Sequence, residues 1–294
     1  MKYLIIFFCI LFIIILIHSY IRDKTNFTSL KTNEKIYDIK DNFLYGIDGI
    51  YWINLDRSHD RRKHMETLLN DNVFENIDKH RITASDGKND DTIIQNFILD
   101  KESNISIIEY ATLLSHLNAI REFANSPHEI ALIFEDDITL NLKPYWKKCI
   151  QEIMQNAPSD WEIIQLYYIM DNNYEIPENE YTLIKNNNFI VNNNNNTILY
   201  YNRNKVSSYS TAAYIINKKA ALRFINNFYK DNKYLLKNYH HVADVYIFNH
   251  FKSYTYKFPM FSTIDDVSTI DSSHIDQNTK SKKYLLKTLF NIDI

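Results

Sequence analysis

Ile130-Ala131-Leu132-Ile133-Phe134-Glu135-Asp136-Asp137 sets five apolar residues directly before three acids. A short, uninterrupted apolar run of this kind suits a strand buried on both faces, as in the sheet of an α/β protein. Three carboxylates at the end of such a strand are costly unless a cation sits among them or water reaches them freely. In an open α/β sheet, ligands bind beyond the carboxyl ends of the strands, which is where this run delivers its acids. Hard oxygen donors of this type suit Mn²⁺ or Mg²⁺, which would bridge to the diphosphate of a nucleotide. Taken alone, the same residues also read as a solvated strand end with an Asp cap, so the flanking sequence has to decide.

Working outward, Ile50-Tyr51-Trp52-Ile53-Asn54-Leu55 is a second run of this kind. Asp56-Arg57-Ser58 then leads into a helical pattern through Met65, Leu68 and Leu69, with Ser58 as N-cap and Asp60 in the first turn. A strand over 81–84 ends in the turn-forming Ser85-Asp86-Gly87-Lys88, completing a β-α-β start. Over 105–125, Tyr110, Leu113, Leu117, Ile120 and Ala124 fall three and four apart, predicting an amphipathic helix that Ser126-Pro127 ends. Glu109 and His116, seven apart, share a face of that helix with Thr112 between them. Strands over 161–168 and 211–216 and helices over 218–229 and 243–251 are expected downstream. The Asn-rich stretch 186–196 reads as an exposed insertion, with a substrate lid as the sharper alternative.

Composition narrows the function. The chain has 294 residues and a net charge of -3, and no basic stripe recurs along it, so a polynucleotide partner is not expected. Its three glycines, Gly46, Gly49 and Gly87, cannot form either a GxGxxG fingerprint or a GxxxxGK[ST] loop. Cys9 lies in the apolar N-terminus and Cys149 stands alone in the folded part, so neither an intradomain disulfide nor a cysteine zinc site is possible. Residues 3–17 are uninterrupted apolar, and Tyr20 and Ile21 extend them toward the roughly 20 residues of a spanning helix. We read 1–21 as an uncleaved membrane anchor, 22–46 as a polar stem, 47–276 as one α/β domain and 277–294 as a peripheral tail. Lys2 before the span is matched by Arg22 and Lys24 after it, so orientation is undecided; sequons at Asn26, Asn104 and Asn195 are usable if the domain is lumenal.

The ordered motifs together resemble glycosyltransferase family 25, which includes lipooligosaccharide galactosyltransferases and procollagen galactosyltransferases. Residues 51–65 look like the family's opening strand and Arg-Arg helix, Ala84-Ser85-Asp86-Gly87-Lys88 like its second signature, and Ala131 to Asp137 like its metal motif. Glu109 followed by Ser115-His116 repeats its Glu-to-Ser-His spacing. Thr211-Ala212-Ala213-Tyr214-Ile215-Ile216, Ala220-Ala221 and Ala243-Asp244-Val245-Tyr246 also correspond. The resemblance spans 48–270. It departs at Ile108 and Ala111, where the family has glycines, and no second catalytic domain of the collagen-modifying type follows.

The resemblance implies a GT-A-like nucleotide-diphospho-sugar fold with a mixed central sheet, and transfer with inversion from UDP-galactose or another UDP-hexose to a hydroxyl on a glycan, glycolipid or protein. Glu135 and Asp137 would hold Mn²⁺ or Mg²⁺, since alternate positions at a strand end converge on one ion, while Asp136 turns toward sugar or ribose. Asn54, Arg57 and Arg61 join Asp136 as donor contacts, the two arginines lying beside a helix N-terminus that favours anions. Asp244 is the expected general base, with Glu109 and His116 as further catalytic candidates. Ser115 reads as helix packing, because no acyl-transfer set accompanies it. The rival reading is a catalytically silent membrane-anchored relative that binds carbohydrate or metal. A metal-dependent phosphoesterase would need more His and Asp ligands at several strand ends.

Overall fold

The computed structural model describes residues 42–101, 104–170, 190–191, 199–202, 208–237, 240–264 and 275–292. The expected anchor and most of the stem lie outside these residues, as does the Asn-rich stretch apart from the backbone strand Ile190–Val191. No helix among the described residues is long and apolar enough to cross a membrane.

The architecture is mixed α/β around a central mixed sheet, which fits a GT-A-like fold. Among the described residues the sheet runs, edge to edge, Asp78–Thr83, Gly49–Asn54, Ile130–Glu135, Ala213–Asn217, Ile163–Gln165, Ser253–Tyr256, Leu199–Asn202 and Ile190–Val191. Gly49–Asn54 pairs in parallel with both Asp78–Thr83 and Ile130–Glu135, while Ala213–Asn217 enters antiparallel beside Ile130–Glu135. Three parallel strands therefore end together at Asn54, Thr83 and Glu135.

Side-chain alternation divides the interior into two layers. Tyr51, Ile53, Ala131 and Ile133 face one core with the long Ile107–Asn125 helix; Ile50, Trp52, Leu132 and Phe134 face the other with Met65, Phe74 and Phe261. By the same alternation Glu135 belongs to the face of Ile133 and looks toward the long helix. That helix buries Leu113, Leu117, Ile120 and Phe123 completely, and each such side chain contributes about 1.5–3 kcal/mol. It begins at Ser106, whose hydroxyl accepts from the Glu109 amide while the Glu109 carboxylate accepts from the Ser106 amide, a reciprocal cap of two otherwise orphaned donors.

The expected strands and helices are found with shifted ends. The second strand starts at Asp78, three residues before the expected 81, because its first residues are polar and lie on an exposed sheet edge where no apolar signal is required. The strand expected over 161–168 forms only at Ile163–Gln165. Ser58 takes the N-cap position of His59–Leu68, but its side chain accepts no capping bond. Residues before 47 already pack: Leu44 is buried, and the Phe43 and Tyr45 carbonyls accept from the amides of Ile150 and Gln151. Residues Ile275–Phe290 form a helix with Leu285 and Leu286 buried, and its Lys282 Nζ donates to the Thr263 carbonyl at 2.7 Å.

Candidate active site

Beyond the ends of the three parallel strands lies a half-open cleft. Its walls include Arg57 and Arg61 after the first strand, Asp86, Gly87 and Lys88 after the second, Thr112 and His116 from the long helix, and Glu135 and Asp136 after the third. Gly87 is needed for the close approach of two elements: a Cβ there would lie 2.8 Å from the Ile107 carbonyl oxygen and from Ile108 Cα.

Each acid of the cluster has different partners. Glu135, on the helix-facing side, accepts from the Thr211 hydroxyl at 2.8 Å and lies 3.3 Å from His116 Nε2. Burial acts to raise its pKa, but His116, Thr211 and Arg61 outweigh it and hold the carboxyl below its ordinary value. Asp136 is clamped: Asn54 Nδ2 donates to one oxygen at 2.7 Å and Arg61 to the other at 2.7 Å. Asn54 is itself oriented by Arg62 and Arg81, which donate to its side-chain oxygen at 3.2 and 3.1 Å, so its amide must face Asp136. Asp137 lies 3.6 Å from Arg61, and its Oδ1 is buried with no hydrogen-bond partner. Burial, together with the negative charge of Glu135, pushes the Asp137 carboxyl up to about 7, with Arg61 only partly offsetting the rise.

That combination supplies a test for a divalent cation. Glu135 and Asp137 offer oxygen donors of the kind Mn²⁺ and Mg²⁺ take, and Asp137 has an oxygen left unsatisfied in a place where its charge is under-compensated. These residues fit such an ion. The acids at 135–137 do not gather three ligand atoms within 4.8 Å of one another; among the described residues that happens at Asp78, His80 and His128.

Of the residues expected at the site, Arg57, Arg61, His116, Glu135 and Asp136 are brought to one cleft, with Asn54 and Asp137 directly behind them. Glu109 is not: its carboxylate turns back to Ser106, while its neighbours Ile108 and Thr112 line the cleft. Asp244 is also outside the cleft wall. Its oxygens accept from the amides of Ser210 at 2.9 Å and Val245 at 2.8 Å, one residue from the Thr211 that bonds Glu135.

Sequence reasoning missed Asp86 and Lys88 as individual wall residues. Arg57 donates to both Asp86 oxygens, at 2.7 and 3.3 Å, and holds that carboxyl below its usual range. It also missed the orienting arginines Arg62 and Arg81. Only the turn motif around Gly87 carried any signal for the first pair, and the polar edge strand hid Arg81.

The family model described as "Glycosyltransferase family 25 (LPS biosynthesis protein)" matches residues 47–247, well over half of the chain. No curated protein sequence matches the chain.

Proposed function

The chain belongs to glycosyltransferase family 25, and from that premise we propose that it is a metal-dependent hexosyltransferase that moves a sugar, galactose by preference, from a UDP-hexose to an acceptor hydroxyl. The observation that carries this reading is the gathering of Arg57, Arg61, Lys88, Glu135 and Asp136 in one cleft beyond three parallel strands. Such a cleft offers cations for a diphosphate and carboxylates for a metal or a sugar hydroxyl, at the edge where α/β sheets bind ligands.

Arg57 and Lys88 receive the donor phosphates, beside the N-terminus of His59–Leu68, whose free amides favour anions. Glu135 and Asp137 would hold Mn²⁺ or Mg²⁺. When bound, that cation supplies positive charge for the leaving diphosphate. Thr211 fixes the Glu135 carboxylate with His116 beside it, and Asn54 with Arg61 fixes Asp136 for contact with the sugar or ribose. In a single displacement the acceptor oxygen attacks the anomeric carbon as the diphosphate leaves from the opposite face, inverting the configuration. Asp244 accepts the proton of the acceptor hydroxyl. The acceptor belongs to a glycan, glycolipid or protein, and lipopolysaccharide assembly is the setting favoured by the family description. The apolar run at 3–17 would anchor the protein in a membrane, with residues 22–46 as its stem.

The alternative, a silent carbohydrate- or metal-binding relative, has support in Glu109, whose carboxylate is spent on its helix cap. Incubating the full-length protein with a panel of nucleotide sugars and Mn²⁺ tests both. Release of nucleotide from one sugar donor names the donor; binding without release from any of them would favour the silent relative.

A further inference from the structure

At the opposite end of the same strands lies a second group of ligating side chains. Asp78 and His80 are two residues apart on the edge strand and so project from one face of the sheet. His128 comes to them from the turn between the long helix and the Ile130–Glu135 strand. One ligand atom from each of the three lies within 4.8 Å of the other two. In the parallel register Asp78 pairs with Gly49, whereas the catalytic end is at Asn54 and Thr83, about 16 Å further along the strands.

The place of His128 is built into the sheet. Its ring lies against Gly49, where a Cβ would fall 2.4 Å from Nδ1, so a side chain at 49 would displace the imidazole. Hydrogen-bond partners meet both of its ring nitrogens. The Ser126 hydroxyl donates to the Phe123 carbonyl at 2.8 Å and accepts from the His128 amide at 3.2 Å, which holds the turn that carries the ring. The Tyr51 hydroxyl lies 2.9 Å from His128 Nδ1. Nε2 is the remaining nitrogen, and it lies 3.0 Å from an Asp78 oxygen. A bare lone pair facing a carboxylate at that distance is repulsive, so Nε2 either carries an N–H that donates to Asp78 or binds a metal ion that Asp78 shares. The ring of His80 stacks on Tyr51 at 4.8 Å and lies 5.3 Å from that of His128, bringing a second imidazole to the same point.

We propose that Asp78, His80 and His128 form a transition-metal site of the zinc class, separate from the acid cluster. Two imidazoles and a carboxylate are the ligand set that zinc takes, and a three-ligand set leaves an open position for water. Asp78 is largely exposed, so water reaches that position and the carboxylate can adjust to the ion. With Nε2 on the metal, Nδ1–H would donate to the Tyr51 hydroxyl 2.9 Å away, the outer-shell partner that orients a metal-bound imidazole. An ion here would fasten the free sheet edge to the turn that leads into the Ile130–Glu135 strand.

The test uses untagged full-length protein in detergent, with excess Mg²⁺ to compete at the acid cluster, titrated with Co²⁺ and then Zn²⁺. The expected result is uptake of one equivalent of Co²⁺, with visible absorption characteristic of nitrogen ligation, and its displacement by Zn²⁺. His80→Ala and Asp78→Ala change solvent-accessible side chains and should each weaken Zn²⁺ binding at least tenfold. Tyr51→Phe should weaken it by about 10- to 100-fold, and Asp137→Asn should leave it unchanged. Failure to take up Co²⁺, a spectrum unaltered by His80→Ala and Asp78→Ala, or loss of binding in Asp137→Asn would each overturn the assignment, leaving a His128–Asp78 hydrogen bond alone.

Discussion

His116 Nε2 lies 3.3 Å from Glu135 Oε1, and the other ring nitrogen lies 3.4 Å from the Tyr214 hydroxyl. The imidazole is buried between the long helix and the sheet, so it bears on a carboxylate proposed to hold the metal without needing to touch substrate. A positioning role follows. His116→Gln should weaken Mn²⁺ affinity by about 10- to 100-fold, in line with outer-shell partners generally. Activity should largely return at high Mn²⁺. If added Mn²⁺ gives no recovery, His116 acts on the substrate directly.

Arg57 and Arg61 lie on the same turn of chain but should fail differently. Arg57 is half-exposed against Asp86, a pair of small structural value. Arg57→Ala should therefore raise the donor KM about tenfold or more, with the melting temperature nearly unchanged. Arg61 is mostly buried between Asp136 and Asp137, and its loss strands two acids. Arg61→Ala should cost about 3–5 kcal/mol of stability, and Mn²⁺ should restore part of it. Thermal melts with and without Mn²⁺ check this; an Arg61→Ala protein as stable as the parent would remove the basis for treating these acids as an uncompensated cluster.

The first strand and the acid-tipped strand were legible because a strand buried on both faces must be written as a continuous apolar run. Partition of the acids was not. That Glu135 faces the long helix follows from the two-residue period only once the cores on each side are known, and that Asn54 and Arg61 hold Asp136 depends on contacts 82 and 75 residues apart in the chain. Glu109 shows the opposite case. The spacing to His116 put both on one helix face, but Ser106 three residues earlier completes a capping box that diverts the carboxylate, a signal that was present in the sequence and overridden by the family pattern.

The Asp137 carboxyl, raised to about 7, gives the metal-free protein a specific pH dependence. Between its ordinary value of 3.8 and about 7 the folded state binds a proton more tightly than the unfolded chain. Its contribution to stability is therefore fully present at low pH and lost as pH rises through 7. Glu135 has the opposite sign, contributing above its ordinary value of 4.5 and losing that contribution in acid. Metal-free protein should thus melt at lower temperature at pH 8 than at pH 6. Asp137→Asn should flatten the difference, and a parent protein whose melting temperature is level across this range would show that Asp137 is ionised throughout.

Asp244 is held by the Ser210 and Val245 amides at the start of the Ala243–His250 helix, which suits either a structural cap or a fixed base. Loss of a cap costs roughly 1 kcal/mol and leaves the rate alone. Loss of a base should cut transfer by about 10² to 10⁴ while donor and metal still bind. Asp244→Asn should therefore transfer sugar at least 100-fold more slowly with unchanged Mn²⁺ affinity. Near-parental transfer would return the role of base to another carboxylate.

The most direct measurement is nucleotide release from a UDP-hexose by the full-length protein, without acceptor, as Mn²⁺ is varied and then removed by chelation. The account predicts slow release that requires Mn²⁺ or Mg²⁺, stops on chelation, and is abolished in Asp137→Asn with the fold intact by thermal melt. Release that continues after chelation, or that proceeds at the parental rate in Asp137→Asn, would contradict a metal held by Glu135 and Asp137.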